Sequence, residues 1–479
     1  MSFVAIDLGA SSTRYVSDSG NISILPNNVV YLPSMEQSLM MPDSTDIEST
    51  LEVQIVKNEP DTSGYFPANV LMGIMAERHR GISERPNVNM RKYAQKINYI
   101  SAIVACAVSK LKFDLTDDFD LYLAVPPIEV NEAKAEFNKV LVGSYTVTFP
   151  KYMGGAVVTF RINSVSCYAE SYMASTSFFF NMNGTAKESS RRYLNGTVLS
   201  LDIGASTTDL AIIKNGRYLD KSGQTYMIGG NVARDNLIDL ISNSYSMILP
   251  LDDAERVMAE GRLQQGNSYV DVSGLISTAK TDLAKQLMQY MNTYFSRVNV
   301  PIKLINTIVV SGGGSLQSQY VNADGEVVKT SEPMSHFVTQ ELTSMSSGTD
   351  VVEYGDEARF ANVRGLFIKA KTDQLKKVQQ SSVNVQPVVQ TVVQSVAPQS
   401  VVSTPQSVVS AAQPVATAPE KPVEVVQSVA TVQAPSAEQT VAVVEVQKAK
   451  EEQTVAVVEA TAPTTEETVA TVVPTPQVQ

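Results

Sequence analysis

The chain has 479 residues, enough for two domains and additional segments. Its net charge of −12 argues against direct binding to nucleic acid or to an anionic membrane as the main activity. With two histidines in the whole chain, histidine-based metal or triad chemistry is not expected. No signal peptide and no apolar run of about 20 residues is present, so we expect a cytoplasmic protein that does not cross a membrane.

The N-terminal motif occupies residues 6–13 (IDLGASST), between two apolar runs that predict a strand hairpin. Gly9 permits a sharp turn and the close approach of a ligand. The small residues that follow leave successive backbone N–H groups uncovered, and such groups form an anion-binding nest suited to phosphates. Asp7 stands where a carboxylate could hold hydrated Mg²⁺.

A second copy of the motif occupies residues 201–209 (LDIGASTTD), in which Asp202 lies roughly 195 positions after Asp7. One such turn is weak evidence, because Asp-x-Gly turns are common. Two copies predict a duplicated domain with a nucleotide held between its halves. Asp209, at the end of the second copy, either binds water near the metal or completes the turn.

Apolar patterns between the two motifs predict further elements. The predicted elements are exposed strands around 51–56, a helix at 91–108, a core strand at 121–125, and a strand that runs into a helix across 164–174. Cys106 and Cys167 lie in apolar surroundings, so we expect them to pack as small hydrophobic side chains rather than to form a disulfide.

The second half repeats this plan. Residues 214–217 (KNGR) predict a tight turn between strands. Asn231 is the expected N-cap of a helix that follows Gly229 and Gly230. A long helix over 272–298 precedes a buried strand at 305–310 and a glycine-rich turn, and the last predicted helix spans 358–371.

The composition changes abruptly at residue 378. From there the chain has no glycine and no aromatic residue, and it is rich in Val, Pro, Gln, Thr and Glu. Three related segments begin at Glu438, Glu452 and Glu466, which gives a 14-residue repeat. Such a composition has little bulky apolar surface to bury, so we expect residues 378–479 to form a disordered tail.

Taken together, these features resemble the actin-like ATPase superfamily. The two Asp-x-Gly hairpins, the strand-to-helix junction at Glu170, the Ser311–Ser315 turn and the final helix follow the order of that superfamily's five nucleotide-binding segments. Within the superfamily the chain looks most like the bacterial ParM-type plasmid-segregation actins. It departs from them at Arg14, where they carry a lysine beside the phosphates, and this alters the geometry of the charge.

The resemblance implies a fold and a domain layout. The fold would be α/β, with duplicated actin-like (ribonuclease H-like) domains and a nucleotide cleft between them. The first domain would span 1–176 and be completed by 350–377, and the second would span 197–349. Residues 177–196 would form a surface insertion between them.

The resemblance also implies roles for individual residues. Glu170 would orient the attacking water. The alternative is that Glu170 is only an acidic residue at the N-terminus of a helix, where the helix dipole favours a negative charge. Asp7 and Asp202 would hold Mg²⁺ through water. The nucleotide (ATP, with GTP possible) would contact backbone and side chains of Gly9, Ala10, Ser11, Ser12, Arg14, Gly204, Ala205, Ser206, Thr207, Gly229, Gly230, Gly312, Gly313 and Gly314.

The function implied is an ATPase that polymerises into filaments and segregates plasmid or phage DNA through a DNA-binding adaptor protein. Direct contact with nucleic acid or membrane is not expected. The alternatives are a small-molecule kinase of the same superfamily, a cell-shape or division actin, and a chaperone of the 70-kDa heat-shock type. The chaperone would need a strand-rich peptide-binding domain after the ATPase, which the tail does not supply.

Overall fold

A nine-stranded sheet forms the first half of the molecule. The computed structural model describes residues 2–33, 47, 51–79, 83–113, 115–343 and 348–383. The strands of this sheet are β1 (Ser2–Leu8), β2 (Ser12–Ser17), β3 (Ile22–Pro26), β4 (Val29–Tyr31), β5 (Glu52–Lys57), β6 (Ala68–Met72), β7 (Asp118–Val125), β8 (Gly143–Phe149) and β9 (Ala156–Ala169). Their order is β3-β2-β1-β7-β9-β8-β5-β6-β4. The parallel strands β1, β7 and β9 lie together, so their carboxyl ends meet at one edge.

The second half contains a smaller sheet and two separate hairpins. Its strands are β10 (Thr197–Ile203), β11 (Thr208–Lys214), β12 (Arg217–Tyr218), β13 (Gln224–Tyr226), β14 (Arg262–Gln265), β15 (Ser268–Asp271), β16 (Thr307–Ser311), β17 (Ser318–Val321), β18 (Val327–Ser331) and β19 (Asp350–Glu353). The sheet has the order β12-β11-β10-β16-β19, with β13 paired to β11. As in the first sheet, an antiparallel hairpin is followed by parallel strands. The predicted duplication is therefore visible in the topology.

Helices cover both faces of each sheet. They are α1 (Ile74–Arg78), α2 (Lys96–Phe113), α3 (Val130–Leu141), α4 (Glu170–Phe179), α5 (Gly230–Tyr245), α6 (Leu251–Glu260), α7 (Ser273–Val298), α8 (Met334–Thr343) and α9 (Ala361–Val383). On one face of the first sheet, α2 and α3 pack in the main core. On its other face, Met173 of α4 and Leu366 of α9 pack against Phe3 of β1. This double burial explains the unbroken apolar run at the start of the chain.

Helix α4 connects the two sheets. Its last residue, Phe179, packs with Val198 and Val309 of the second sheet. It also crosses α9 at very short distance, because a Cβ atom added at Gly365 would lie 1.9 Å from the carbonyl oxygen of Met173. Glycine is therefore required at this crossing.

At its other end, α9 is tied to the first sheet. Lys377 Nζ lies 2.8 Å from Asp120 Oδ2, near the start of β7. The cleft lies at the other end of β7, because Pro126, which follows the last residue of the strand, lines it. Helix α9 therefore runs along β7 from the cleft to the start of the strand.

Several predicted elements are confirmed. Both motifs form antiparallel hairpins, and the predicted core strand is β7. The strand-to-helix junction falls between Ala169 and Glu170. The turn at 214–217 has positive φ at Asn215 and Gly216, as its sequence predicts. Cys106 and Cys167 are buried free thiols.

Other predictions are wrong. The strand at 51–56 is not exposed, because Val53 and Ile55 are fully buried in the interior of the nine-stranded sheet. The helix predicted from residue 91 begins at Lys96 instead. Asn231 is not an N-cap, because α5 begins one residue earlier, at Gly230. In each case tertiary packing overrides the local pattern.

Two segments differ from their predicted extent or burial. Helix α9 continues to Val383, six residues into the predicted tail, and residues 384–479 lie outside the described part of the chain. The segment predicted as a surface insertion is partly buried, since Phe179 and Tyr193 join the apolar cluster on the second sheet. Among the described residues, no helix is long and apolar enough to cross a membrane.

Candidate nucleotide site

The turn of the first hairpin is held open by buried polar contacts. Asn27 donates its Nδ2 to the carbonyl oxygen of Gly9 at 2.7 Å, and Ser101 of α2 donates to Asn27 Oδ1 at 2.6 Å. A Cβ atom at Gly9 would lie 2.6 Å from the carbonyl oxygen of Ser12, so a side chain there would collide with the turn. The turn is thereby fixed with its small residues facing the cleft.

Arg14 neutralises the carboxylate of the same hairpin. Its Nη1 lies 3.2 Å from Asp7 Oδ2, and both side chains are largely buried. A guanidinium engaged in this way is a fixed partner of Asp7. The structure therefore places the predicted Arg14 beside the site, with Asp7 as its acceptor.

In the second domain the start of α5 is hydrogen-bonded to the turn of the hairpin. The carbonyl oxygen of Gly204 accepts a hydrogen bond from Gly230 N at 2.9 Å, and that of Ala205 accepts one from Asn231 N at 2.7 Å. Asn231 also donates its side chain to Ser206 Oγ at 2.9 Å. The start of α5 is thus locked onto the phosphate-binding turn proposed from the sequence.

The glycine-rich turn after β16 completes this arrangement. Gly312 has φ = +88°, and a Cβ atom there would lie 2.3 Å from the carbonyl oxygen of Ile203. A Cβ atom at Gly314 would lie 2.7 Å from the carbonyl oxygen of Gly204. These glycines are therefore required for backbone-to-backbone packing behind Asp202.

Three buried carboxylates meet at the centre of the site. Glu170, Asp202 and Asp209 each place an oxygen within 4.8 Å of the others, and each is at most 7% exposed. Asp202 and Asp209 face each other as register partners of β10 and β11. Asp209 therefore lies beside the other two carboxylates at the end of the hairpin turn, and its binding of water near a metal ion stays a prediction.

Burial and mutual repulsion raise the pKa values of all three carboxyl groups. Burial raises the pKa of Asp202 to about 7, although hydrogen bonds from Asn362 and Ser311 work in the opposite direction. Burial and the charge of Glu170 raise the pKa of Asp209 well above its usual range. Such a cluster of oxygen ligands fits a hard divalent cation, which would relieve the repulsion.

A lysine that the sequence reasoning missed enters the same centre. Lys92 Nζ forms an ion pair with Glu170, and both side chains are largely buried. Burial alone would lower the pKa of Lys92, but the charges of Glu170 and Asp7 outweigh it and the pKa is raised. The sequence analysis placed Lys92 inside a continuous helix over 91–108. The chain instead forms a separate 3₁₀ turn at Lys92–Ala94 before α2.

A second missed residue comes from the closing helix. Asn362 donates its Nδ2 to Asp202 Oδ2 at 2.9 Å, and Ser311 donates its hydroxyl to Asp202 Oδ1 at 3.2 Å. Thr225 donates to Asp209 Oδ1 at 2.5 Å. The carboxylates are thus oriented by neighbours that lie far away in sequence.

These residues line one cleft of about 830 Å³ between the two halves. That size suits a nucleotide. Among the predicted contacts, Ser12 and Gly229 do not line it. The predicted residues that do are Asp7, Gly9, Ala10, Ser11, Arg14, Glu170, Asp202, Gly204, Ala205, Ser206, Thr207, Gly230, Gly312, Gly313 and Gly314.

A comparison with protein families gives a match within the second half of the molecule. The model for the C-terminal part of the archaeal MreB-like actin homologues matches residues 200–319. This stretch begins just before Asp202 and ends just after the Gly312–Gly314 turn. A search of curated protein sequences finds no match.

Comparison with solved structures covers most of the chain. The archaeal actin homologue Ta0583 is 16% identical with a TM-score of 0.57, over 78% of this chain and all of that one. The actin-like protein Alp7A is 16% identical with a TM-score of 0.58, over 80% and 98%. A Bacillus thuringiensis ParM with ATP is 16% identical with a TM-score of 0.51, over 78% and 99%.

The resemblance drawn from the two hairpins is thereby confirmed at the level of the fold. The fold recurs over 78–80% of this chain in proteins that are only 16% identical to it. The described chain has a two-domain actin-like fold, and Alp7A and the Bacillus thuringiensis ParM share that fold.

Proposed function

We propose that this protein is an actin-like nucleotide hydrolase that binds Mg-ATP in the cleft and polymerises while the triphosphate is bound. The observation that carries the proposal is that two equivalent hairpin turns meet in one interdomain cleft, which Asp7, Glu170, Asp202 and Asp209 also line. In this proposal, backbone N–H groups of Gly9–Ser11 and Gly204–Thr207, which line the cleft, hold the phosphates. Asp7 and Asp202 hold Mg²⁺ through its water shell. The ion, when bound, neutralises the charge of the phosphates.

Glu170 is the proposed partner of the attacking water. The water oxygen bonds to the γ-phosphorus while the bond to the bridging oxygen breaks and leaves its electron pair on ADP. The water protons pass to Glu170 or to the released phosphate, so that ATP and water give ADP and inorganic phosphate. Glu170 suits this role because it stands at the start of α4, where packing on both sheets fixes its position. The nucleotide could also be GTP.

Filament formation is the second part of the proposal. The fold recurs in Alp7A and in ParM, and the ParM of one solved structure is described as a non-polymerisable mutant. Identical subunits that repeat a head-to-tail contact form an open filament when the rotation does not close. The cargo we propose is plasmid or phage DNA. Because the chain has a net charge of −12, DNA would be reached through a basic adaptor protein.

The test combines sedimentation with phosphate release. The full-length protein should pellet at high speed with Mg-ATP or Mg-GTP, and should stay in the supernatant with Mg-ADP or without nucleotide. Asp202→Ala should lower phosphate release by at least about a hundredfold, because it removes a charge-positioning carboxylate. Asp117→Ala is the matched control, since the Asp117 side chain is 86% exposed and lies outside the cleft.

A kinase would give a different result. Its nucleotide turnover would require a small-molecule acceptor, and no pellet would form at any protein concentration. Normal phosphate release by Asp202→Ala would contradict the nucleotide site itself.

A further inference from the structure

The turn that carries Lys92 is unusually well fixed. The Gln95 side chain accepts a hydrogen bond from Asn87 N at 2.7 Å and donates to the carbonyl oxygens of Asn87 and Met90 at 3.0 Å. Glu129 Oε2 accepts Lys92 N at 2.8 Å, and Asn98 donates to the Lys92 carbonyl oxygen at 2.9 Å. This network orders the backbone around one side chain, and that side chain points into the cleft.

The surroundings of Lys92 are acidic on both sides of the cleft. Its Nζ bonds to Glu170 and is attracted by Asp7 of the first hairpin and by Asp209 of the second. Lys92 therefore lines the same cleft as the two turns that would hold the phosphates. A lysine has three N–H donors, and Glu170 is its hydrogen-bond acceptor among the described residues.

Arg14, Arg91 and Lys280 also line the cleft, and each of them already has protein partners. Arg14 is 3.2 Å from Asp7, and Arg91 points to Glu129, with 3.8 Å between Nη1 and Oε1. Lys280 donates to two carbonyl oxygens and one hydroxyl at the far side of the cleft. Lys92 is thus placed to meet an incoming anion without leaving a protein carbonyl unpaired.

We propose that Lys92 is a ligand of the terminal phosphate of a bound nucleoside triphosphate, and that it turns from Glu170 to this phosphate when the triphosphate enters. The inference rests on the proposed nucleotide function. An ammonium group binds phosphate as a compact point charge, and the terminal phosphate carries more negative charge than one carboxylate. The exchange frees Glu170 to orient water only when a hydrolysable phosphate is present.

The consequence is a distinction between triphosphate and diphosphate. A nucleoside diphosphate lacks the group that would draw Lys92 away, so the ion pair with Glu170 persists. Lys92 then contributes affinity to the triphosphate alone, whereas a residue with a purely structural role would affect both nucleotides alike.

The experiment measures binding of ADP and of a non-hydrolysable ATP analogue, both with Mg²⁺, by titration calorimetry. Lys92→Gln should weaken the analogue by about tenfold to a hundredfold, the usual value of a charge-assisted hydrogen bond, and ADP by less than about threefold. Lys92→Arg should retain the preference for the analogue. Lys96→Gln is the matched control, because it removes the same charge four residues away, where Lys96 Nζ lies over the Tyr31 ring.

A second variant is needed in case Lys92→Gln does not fold. That variant leaves the buried Glu170 without its partner, which destabilises proteins strongly. The double variant Lys92→Gln/Glu170→Gln removes both charges, and it should show the same selective loss of the analogue relative to Glu170→Gln alone. Equal loss of both nucleotides, or no loss, would overturn the inference. Failure of the parent protein to bind either nucleotide would instead overturn the proposed function.

Discussion

Asn362 Nδ2 lies 2.9 Å from Asp202 Oδ2, so the helix that closes the first domain holds a carboxylate of the second. The other amide atom, Oδ1, is buried and has no hydrogen-bond partner within the described part of the protein. Asn362 is therefore committed to Asp202 as a donor. This contact crosses the cleft beside the position that we propose for the metal ion.

Replacing this donor should affect the nucleotide-free protein most. Asn362→Ala removes one hydrogen bond to a buried carboxylate and should lower the free energy of unfolding by about 1–3 kcal/mol. Asn362→Asp should be worse, because it adds a like charge beside Asp202. Thermal unfolding with and without Mg-nucleotide checks this, and the ligand should recover more stability in Asn362→Asp than in the parent. An Asn362→Asp protein as stable as the parent without ligand would contradict the prediction.

Replacing Glu170 by glutamine should greatly slow hydrolysis without loss of nucleotide binding. Glu170→Gln is preferable to Glu170→Ala, because the amide oxygen still accepts a hydrogen bond from Lys92. Phosphate release should fall by roughly a hundredfold to ten-thousandfold. Filaments should then persist in electron micrographs, while parental filaments disappear as ATP is consumed.

Glu188→Gln serves as the control for this variant, because the Glu188 side chain is 87% exposed. If Glu170→Gln binds Mg-ATP but remains monomeric at concentrations where the parent polymerises, its assigned role is wrong.

The crossing of α4 and α9 should tolerate no side chain. Gly365→Ala would place a methyl group against the Met173 carbonyl oxygen, and we expect a loss of at least about 3 kcal/mol in the free energy of unfolding. Gly274→Ala is the control, since Gly274 has open space around it in α7 and should stay within about 1 kcal/mol of the parent. Urea unfolding of the two variants measures the difference, and equal midpoints would show that the helices can separate freely.

Lys280 gives the stability of the second domain a pH dependence. The side chain is 2% exposed, and burial lowers the pKa of Lys280 to about 8. Between about pH 8 and pH 10.5 the unfolded chain keeps a proton that the folded protein has lost, so folding becomes more favourable as pH rises. Relative to Lys280→Met, the parent should gain roughly 1–3 kcal/mol across this range. A difference that does not change with pH would mean that Lys280 stays charged in the folded protein.

The parts of the site that could be predicted from the sequence are those made by neighbours in the chain. A hairpin turn such as Gly204–Thr207 is encoded within a few residues, and Glu170 is marked by a strand that ends where a helix begins. The partners of these groups are not local. Lys92 is 78 residues from Glu170, and Asn362 is 160 residues from Asp202, so only the packed fold brings them together.

Wrong element boundaries have the same origin. Apolar spacing places a helix near Ile97, but it does not reveal that Glu129 and Gln95 hold the preceding residues in a separate turn. The strand at 51–56 alternates as an exposed strand would, yet it lies inside the nine-stranded sheet, paired with β8 on one edge and with β6 on the other. Periodicity reports which residues are apolar, whereas burial depends on what the rest of the chain brings against them.

The path of α9 connects the nucleotide cleft with the opposite end of the first domain. The helix begins beside Asp202 and reaches the start of β7 at Lys377, about 22 Å further along its axis. The described part of α9 therefore links a carboxylate of the cleft to the far end of β7. A shift of Asp202 on nucleotide binding would therefore be transmitted along α9 to the ion pair between Lys377 and Asp120, at the end of the domain away from the cleft.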